Sequence, residues 1–377
     1  MRILINGVYF GGNSPIFYKV LKDMGHEVKI CDILFIDSYK ERSSLFALED
    51  IIIPSYSKFK VILLKFYRKF YRKLWKKELI SFAHEVINDF QPDILFNHQV
   101  SVRSNIMLDT NFKPQFNFVY GSEIKGRNIG SVLLEQAIRC ANLTFVPSIE
   151  AKNILLNSYD NISKKLCLNT TNFIYVDYEL KKYLSANINE LREKNKYSSD
   201  DFIIYDNRSL RDKELSLLII ESVKFLKTNS IACKVILVKG YSGNDIVIKF
   251  VKSKIVEWDL NSHIKIIEKS ITDDFHYQLL SISNVYCSIL KADEFGSGIA
   301  QAMYYKKALL LSNLEVYRKH IKNNASYINS YNVKEFSNAI INLMENKVNI
   351  DFNHNFTLVD EKFNAVKNIE FILNKIP

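Results

Sequence analysis

The chain has 377 residues, 47% of them hydrophobic and 24% charged, and its 51 Lys and Arg against 41 Asp and Glu leave a net charge of +10. This is the composition of an ordinary globular protein long enough for two domains, and it excludes a largely disordered chain. No apolar run approaches the roughly 18 residues of a membrane span, and residues 1–10 read as an immediate strand, so a cytoplasmic protein is expected. Cys31, Cys140, Cys167, Cys233 and Cys287 form no C-x-x-C pair and read as reduced thiols, and the seven histidines lack ligand spacing, so no metal site is expected.

In chain order, residues 1–6 form an apolar strand, Gly11-Gly12 a turn, residues 15–24 a helix and residues 25–30 a second strand. This βαβ unit opens a Rossmann-like domain. The dinucleotide fingerprint G-x-G-x-x-G is absent, so the glycines are read as serving a substrate or a tight turn. Residues 58–77 carry nine Lys or Arg and no acid. On a helical wheel Phe59, Ile62, Leu63, Phe66, Phe70 and Leu74 share one face, with Lys65, Arg68, Lys69, Arg72, Lys73 and Lys76 over the rest. A basic amphipathic helix of this kind suits an anionic membrane surface. A core-packing helix with a solvated charged face is the alternative, and no nucleic-acid motif accompanies the patch.

Residues 78–89 continue as helix, Gln91-Pro92 breaks it, and residues 93–98 form a strand ending at His98. Residues 116–123 repeat the arrangement and end in the turn Tyr120-Gly121-Ser122-Glu123. A histidine at a strand end is either structural or part of a site. Helix 133–141, strand 143–147 and a helix capped by Ser148 follow. The pattern lapses from 169 to 199, around one helix at 188–196, and is read as a linker. Alternation resumes with strands near 201–205, 233–238, 264–268, 284–290 and 308–311, helices between them, and a final helix at 360–373.

Two turns at strand ends hold the chemistry. Residues 207–213 place Arg208 and Lys213 five apart, able to converge on a diphosphate as a fork and a point charge. In the second, Glu294-Phe295-Gly296-Ser297-Gly298 leads from a strand into a small-residue helix. Its glycines permit close backbone approach, the helix N-terminus suits phosphate, and Glu294 can accept hydroxyls of a sugar. An ordinary strand-to-helix turn is the plain alternative.

These residues resemble the retaining GT-B glycosyltransferases of the group-one family. Arg208 and Lys213 fit that family's basic pair, Glu294-Phe295-Gly296 its turn beginning an E-x7-E motif, and Ala302-Met303 its helix. Tyr120–Glu123, Ala141-Asn142 and Phe145–Ser148 resemble its first-domain landmarks. Gln301 replaces the second glutamate, Asn207 the glycine before the arginine, and Tyr120 a first-domain histidine.

The resemblance implies an α/β GT-B architecture of two Rossmann-like domains facing a cleft. The expected boundaries are an acceptor-side domain at 1–185, a nucleotide-sugar domain at 186–358 and a terminal helix, 359–377, returning to the first domain. It implies a metal-independent enzyme without a cofactor, whose donor is a nucleotide-diphosphate sugar carrying UDP or GDP. Arg208, Lys213 and Glu294 would be catalytic; Phe295, Gly296, Ser297, Gly298, Gln301 and Gly240 would bind the donor; Gly12, His98, Tyr120 and Glu123 would face the acceptor. A lipid-linked glycan acceptor, retention of configuration, surface-polysaccharide assembly (capsule, lipopolysaccharide) and peripheral attachment to the inner membrane through residues 58–77 complete the expectation. The alternatives are a catalytically lapsed scaffold and a nucleotide-sugar epimerase of the same fold.

Overall fold

The computed structural model describes residues 1–8, 13–33, 48–54, 68–98, 100, 102–120, 123–124, 130–169, 173–239, 243–268, 271–293 and 295–376, without the side chains of 68–75, 102–104, 178 and 209. The chain divides into two compact units, Met1–Tyr175 with Asn364–Pro377, and Val176–Phe363.

The first unit contains β1 (Arg2–Asn6), α1 (Ser14–Asp23), β2 (Glu27–Cys31), β3 (Ile51–Ile52), α2 (Arg68–Phe90), β4 (Ile94–His98), α3 (Val102–Leu108), β5 (Gln115–Phe118), α4 (Val132–Cys140), β6 (Leu143–Val146), α5 (Ile149–Ser158) and β7 (Leu166–Leu168). Its seven strands are parallel in the order β3-β2-β1-β4-β5-β6-β7, with a switch of direction between β1 and β4. The two faces of the sheet follow from side-chain alternation. Ile3, Ile5, Phe96, Phe116 and Phe118 pack with Phe17 of α1 on one face, while Leu4 and Leu95 meet Leu79, Ala83 and Phe90 of α2 on the other.

Polar residues on that second face are paired to one another. Asn6 donates to Asn97 at 2.8 Å, Asn97 to Gln115 and Asn117 at 3.0 Å each, and Asn117 to the Ala137 carbonyl at 2.9 Å. All four side chains are buried. The amide chain gives each of the four buried side chains a partner, although Asn6 Oδ1 has none among the described residues.

The second unit contains α6 (Tyr178–Lys182), α7 (Ile188–Lys194), β8 (Ile203–Asp206), α8 (Lys213–Thr228), β9 (Lys234–Val238), α9 (Asp245–Glu257), β10 (Ile264–Ile267), α10 (Asp273–Ile282), β11 (Val285–Ser288), α11 (Ser297–Tyr304), β12 (Ala308–Ser312), α12 (Glu315–Ile321), β13 (Ser326–Ile328), α13 (Val333–Met344) and α14 (Phe352–Leu358). Six parallel strands run β10-β9-β8-β11-β12-β13, and the order reverses between β8 and β11. Two cations finish α10: Arg192 donates to the Ile282 carbonyl at 3.0 Å and Lys307 to the Ser281 carbonyl at 2.7 Å, where a helix C-terminus favours positive charge.

Two stretches read as continuous are divided differently. The segment 169–199 is cut after Tyr175, and α6 is fastened within the second unit by Tyr183 and Lys182 donating to Asp274 of α10 at 2.6 and 2.8 Å. The helix expected at 360–373 is broken at Asn364, whose extended backbone bridges to Ile174 and whose side chain caps α15 (Ala365–Leu373). That helix packs in the first unit through Ala365, Ile369 and Ile372. Ser148 caps α5 as expected, accepting from Ala151 N–H at 3.1 Å. Residues 58–67 of the basic segment lie outside the described residues; 68–77 belong to α2, in which Lys76 pairs with Asp109 at 2.6 Å. No helix among the described residues is long and apolar enough to cross a membrane.

Candidate functional site

In the second unit, the carboxyl ends of β8 and β11 adjoin at the switch point, where open α/β sheets take their ligands. Arg208 follows β8, and its Nη1 donates to Asp293 Oδ1 at 2.8 Å. The other oxygen of Asp293 accepts from Gly296 N–H at 2.9 Å and Tyr317 O–H at 2.8 Å. Burial alone would raise the pKa of Asp293, but the Arg208 charge and these two donors outweigh it and hold the carboxyl below its ordinary value. Asp293 is therefore an anion that fixes both the arginine and the glycine turn.

The glycines are needed where they stand. A Cβ on Gly296 would lie 2.9–3.1 Å from the Arg208 guanidinium, and one on Gly298 would lie 2.4 Å from the Tyr286 hydroxyl. Phe295 between Asp293 and Gly296 takes φ +61°, a left-handed conformation unusual for an aromatic residue. Its ring is 3% exposed and stacks on Phe363 at 4.3 Å and against His320 at 5.2 Å. Packing of the ring offsets the backbone strain and turns Gly296 N–H towards Asp293. Ser297 and Gly298 open α11.

Gln301, on the second turn of α11, accepts from His276 Nε2–H at 3.0 Å. His276 Nδ1 in turn accepts from Tyr205 O–H at 2.6 Å. Burial pushes the His276 pKa down to about 4, with the Gln301 bond opposing, so the ring is neutral near pH 7. Lys213, the first residue of α8 after its cap Asp212, is exposed and sets its ammonium 4.3 Å over the Phe250 ring of α9. The structure thus joins Arg208 to the glycine turn and sends Lys213 to a neighbouring helix. Glu294 and Gly240 lie outside the described residues.

Asp293 is the residue that sequence reasoning missed. Seven residues separate it from Gln301, whereas Glu294 is separated by six, so the E-x7-E spacing falls on Asp293 and Gln301. Counting back from the helix was the available signal.

The first unit gathers a second constellation at the carboxyl edge of its sheet. His98, at the end of β4, is 2% exposed, stacks on Phe118 at 4.8 Å, and takes a 2.7 Å hydrogen bond from Tyr120 O–H at Nδ1. Burial pushes its pKa down to about 3, so the ring is neutral and Nε2 carries the proton. That Nε2 has no partner among the described residues. Burial raises the Tyr120 phenol pKa, a bond from Asn13 opposes this, and the Glu123 charge adds to it. Glu123 folds back on its own turn and accepts from Tyr120 N–H at 3.2 Å. Gly12 is outside the described residues; Gly7 is the glycine seen to matter, since its Cβ would lie 2.4 Å from Ser14 Oγ and 3.1 Å from His98 Cβ.

Residues 187–357 match the model of the family Glycosyl transferases group 1. The match falls within the second unit, Val176–Phe363. The match spans β8 to β13 and so includes Arg208, Asp293 and Gln301. No curated protein matches the sequence. Among solved structures, the chain is similar to HepE from Anabaena in complex with UDP and glucose (14% identity, 99% of this chain and 98% of that one, TM-score 0.71). It is similar also to a sucrose-phosphate synthase from Thermosynechococcus elongatus (13%, 100% and 98%, 0.71) and to a glycosyltransferase from Rickettsia africae (18%, 100% and 98%, 0.70). These likenesses establish the fold, two parallel-sheet α/β domains as in GT-B glycosyltransferases.

Proposed function

We propose that the chain is a glycosyltransferase that takes a sugar from a nucleotide-diphosphate donor, UDP or GDP, and passes it to an acceptor hydroxyl with retention of configuration. The observation that carries the donor side is Arg208 at the carboxyl end of β8, held by Asp293 against the glycine turn that opens a helix. Its guanidinium and the α11 N-terminus would supply fixed positive charge where the diphosphate leaves, and the exposed Lys213 would join them by swinging off the Phe250 ring. Such charge lowers the barrier without a metal ion or cofactor. Asp293 and the adjacent Glu294 would orient the transferred sugar, Gln301 would meet the ribose, and the 240–244 loop would bound the base. The UDP and glucose held by HepE support a nucleotide-sugar donor here.

On the acceptor side, His98, Tyr120, Glu123 and Gly12 would receive the incoming hydroxyl. The basic segment 58–77 favours a lipid-linked glycan at the inner leaflet, in assembly of a surface polysaccharide. The test incubates the protein with radiolabelled nucleotide sugars and membrane lipid extract. Transfer of label to a lipid-linked glycan, or slow release of free sugar in its absence, supports the reading. Conversion of one nucleotide sugar to its epimer would make the protein an epimerase, and inertness towards every donor would make it a lapsed scaffold.

A further inference from the structure

The departures at positions 207 and 301 meet in one buried network of the second unit. Tyr286 O–H donates to Asn207 Oδ1 at 2.9 Å, and the Tyr286 ring packs edge-on against Tyr205 at 5.8 Å. Tyr205 O–H donates to His276 Nδ1 at 2.6 Å, and His276 Nε2–H to Gln301 Oε1 at 3.0 Å. The two bonds of His276 run in the same sense, from β8 through α10 to α11. Tyr205, Tyr286 and His276 are buried, and hydrogen bonds strung head to tail in such surroundings reinforce one another.

We propose that His276 is a positioning residue for the donor nucleotide, coupling the amide of Asn207, beside Arg208, to the amide of Gln301 through the Tyr286–Tyr205 ring contact and these bonds. The inference rests on the donor-binding reading above. Asn207 and Gln301 are then a matched pair rather than two separate losses. A glycine at 207 would strip Tyr286 of its hydrogen-bond acceptor and loosen the ring that packs on Tyr205. A glutamate at 301 would set a negative charge on His276 Nε2 and draw a second proton onto the ring. The groups facing His276 are Tyr205 from β8, Gln301 from α11 and Tyr277 on its own helix, its ring 5.7 Å away. With Tyr205 donating to Nδ1, the ring can only donate at Nε2, which fixes the Gln301 amide with its oxygen inward.

The test is a double-mutant cycle on nucleoside diphosphate binding by calorimetry, with Asn207→Gly, Gln301→Glu and the pair, in the otherwise native chain and with His276→Phe. Each single change is expected to weaken binding about 5- to 10-fold, and the pair to depart from the product of the two by about 5-fold or more. With His276→Phe the two changes should act independently. Independent action in the native background overturns the inference. Should His276→Phe not fold, Gln301→Glu alone decides: a new ionisation in the affinity between about pH 5 and 8 supports the coupling, and a flat profile overturns it. A native chain that binds no nucleoside diphosphate removes the donor reading and this inference together. One that binds through Arg208 but shows no coupling removes this inference alone.

Discussion

Asp293 receives Arg208 on one carboxylate oxygen and Gly296 N–H with Tyr317 O–H on the other, so one side chain sets both the cation and the turn of the proposed donor site. Asp293→Ala should free the guanidinium and loosen the turn. Nucleotide affinity is expected to fall about 10-fold, with a loss of stability on the order of 2 kcal/mol because a partly buried cation loses its partner. Calorimetry and thermal unfolding check this; native affinity in the variant would contradict it.

The glycines of the turn fail in different ways. Gly296→Ala should displace the Arg208 guanidinium and weaken nucleotide binding while leaving the melting temperature nearly unchanged. Gly298→Ala should press on Tyr286, which is buried among the strands, and destabilise the chain by about 1–3 kcal/mol. Equal effects on binding and melting in the two variants would go against this division.

Acid should destabilise both units. The folded pKa values of His276 and His98, about 4 and about 3, lie below the ordinary 6.5. Between the folded and unfolded values the unfolded chain binds more protons, so stability falls as pH drops from about 6.5 towards 4. The 2.5-unit difference at His276 corresponds to on the order of 3 kcal/mol across that window. Denaturant unfolding as a function of pH, with His276→Gln flattening part of the slope, is the measurement.

Acceptor and donor sides should separate kinetically. Tyr120→Phe removes the hydroxyl bonded to His98 and should slow transfer about 10-fold while leaving nucleotide affinity unchanged. Weakened nucleotide binding in this variant would argue against an acceptor-side role.

Replacing Lys65, Lys69 and Arg72 with Gln should reduce binding to anionic vesicles by about 1 kcal/mol per charge and leave nucleotide binding intact. Binding unaffected by these changes and by salt would exclude an electrostatic role for the segment.

The strands were legible because parallel strands covered on both faces read as apolar runs, as 235–238 and 308–311 do. Arg208 was legible from its place after a strand. Other features depend on long-range contacts that no local pattern records. Asn364 ends a stretch that looks helical because its backbone meets Ile174, far away in sequence. Tyr205, His276 and Gln301 come together over separations of 71 and 25 residues. Asp293 was hidden by a simpler cause, its neighbour Glu294 drawing the motif one residue out of step.

The most direct test of the account is calorimetric titration of UDP and GDP into the native chain and Arg208→Ala, with chelator present. The account predicts binding of one nucleotide by the native chain, weakened about 100-fold or more in the variant. Binding of neither nucleotide, or equal binding by both proteins, would contradict it.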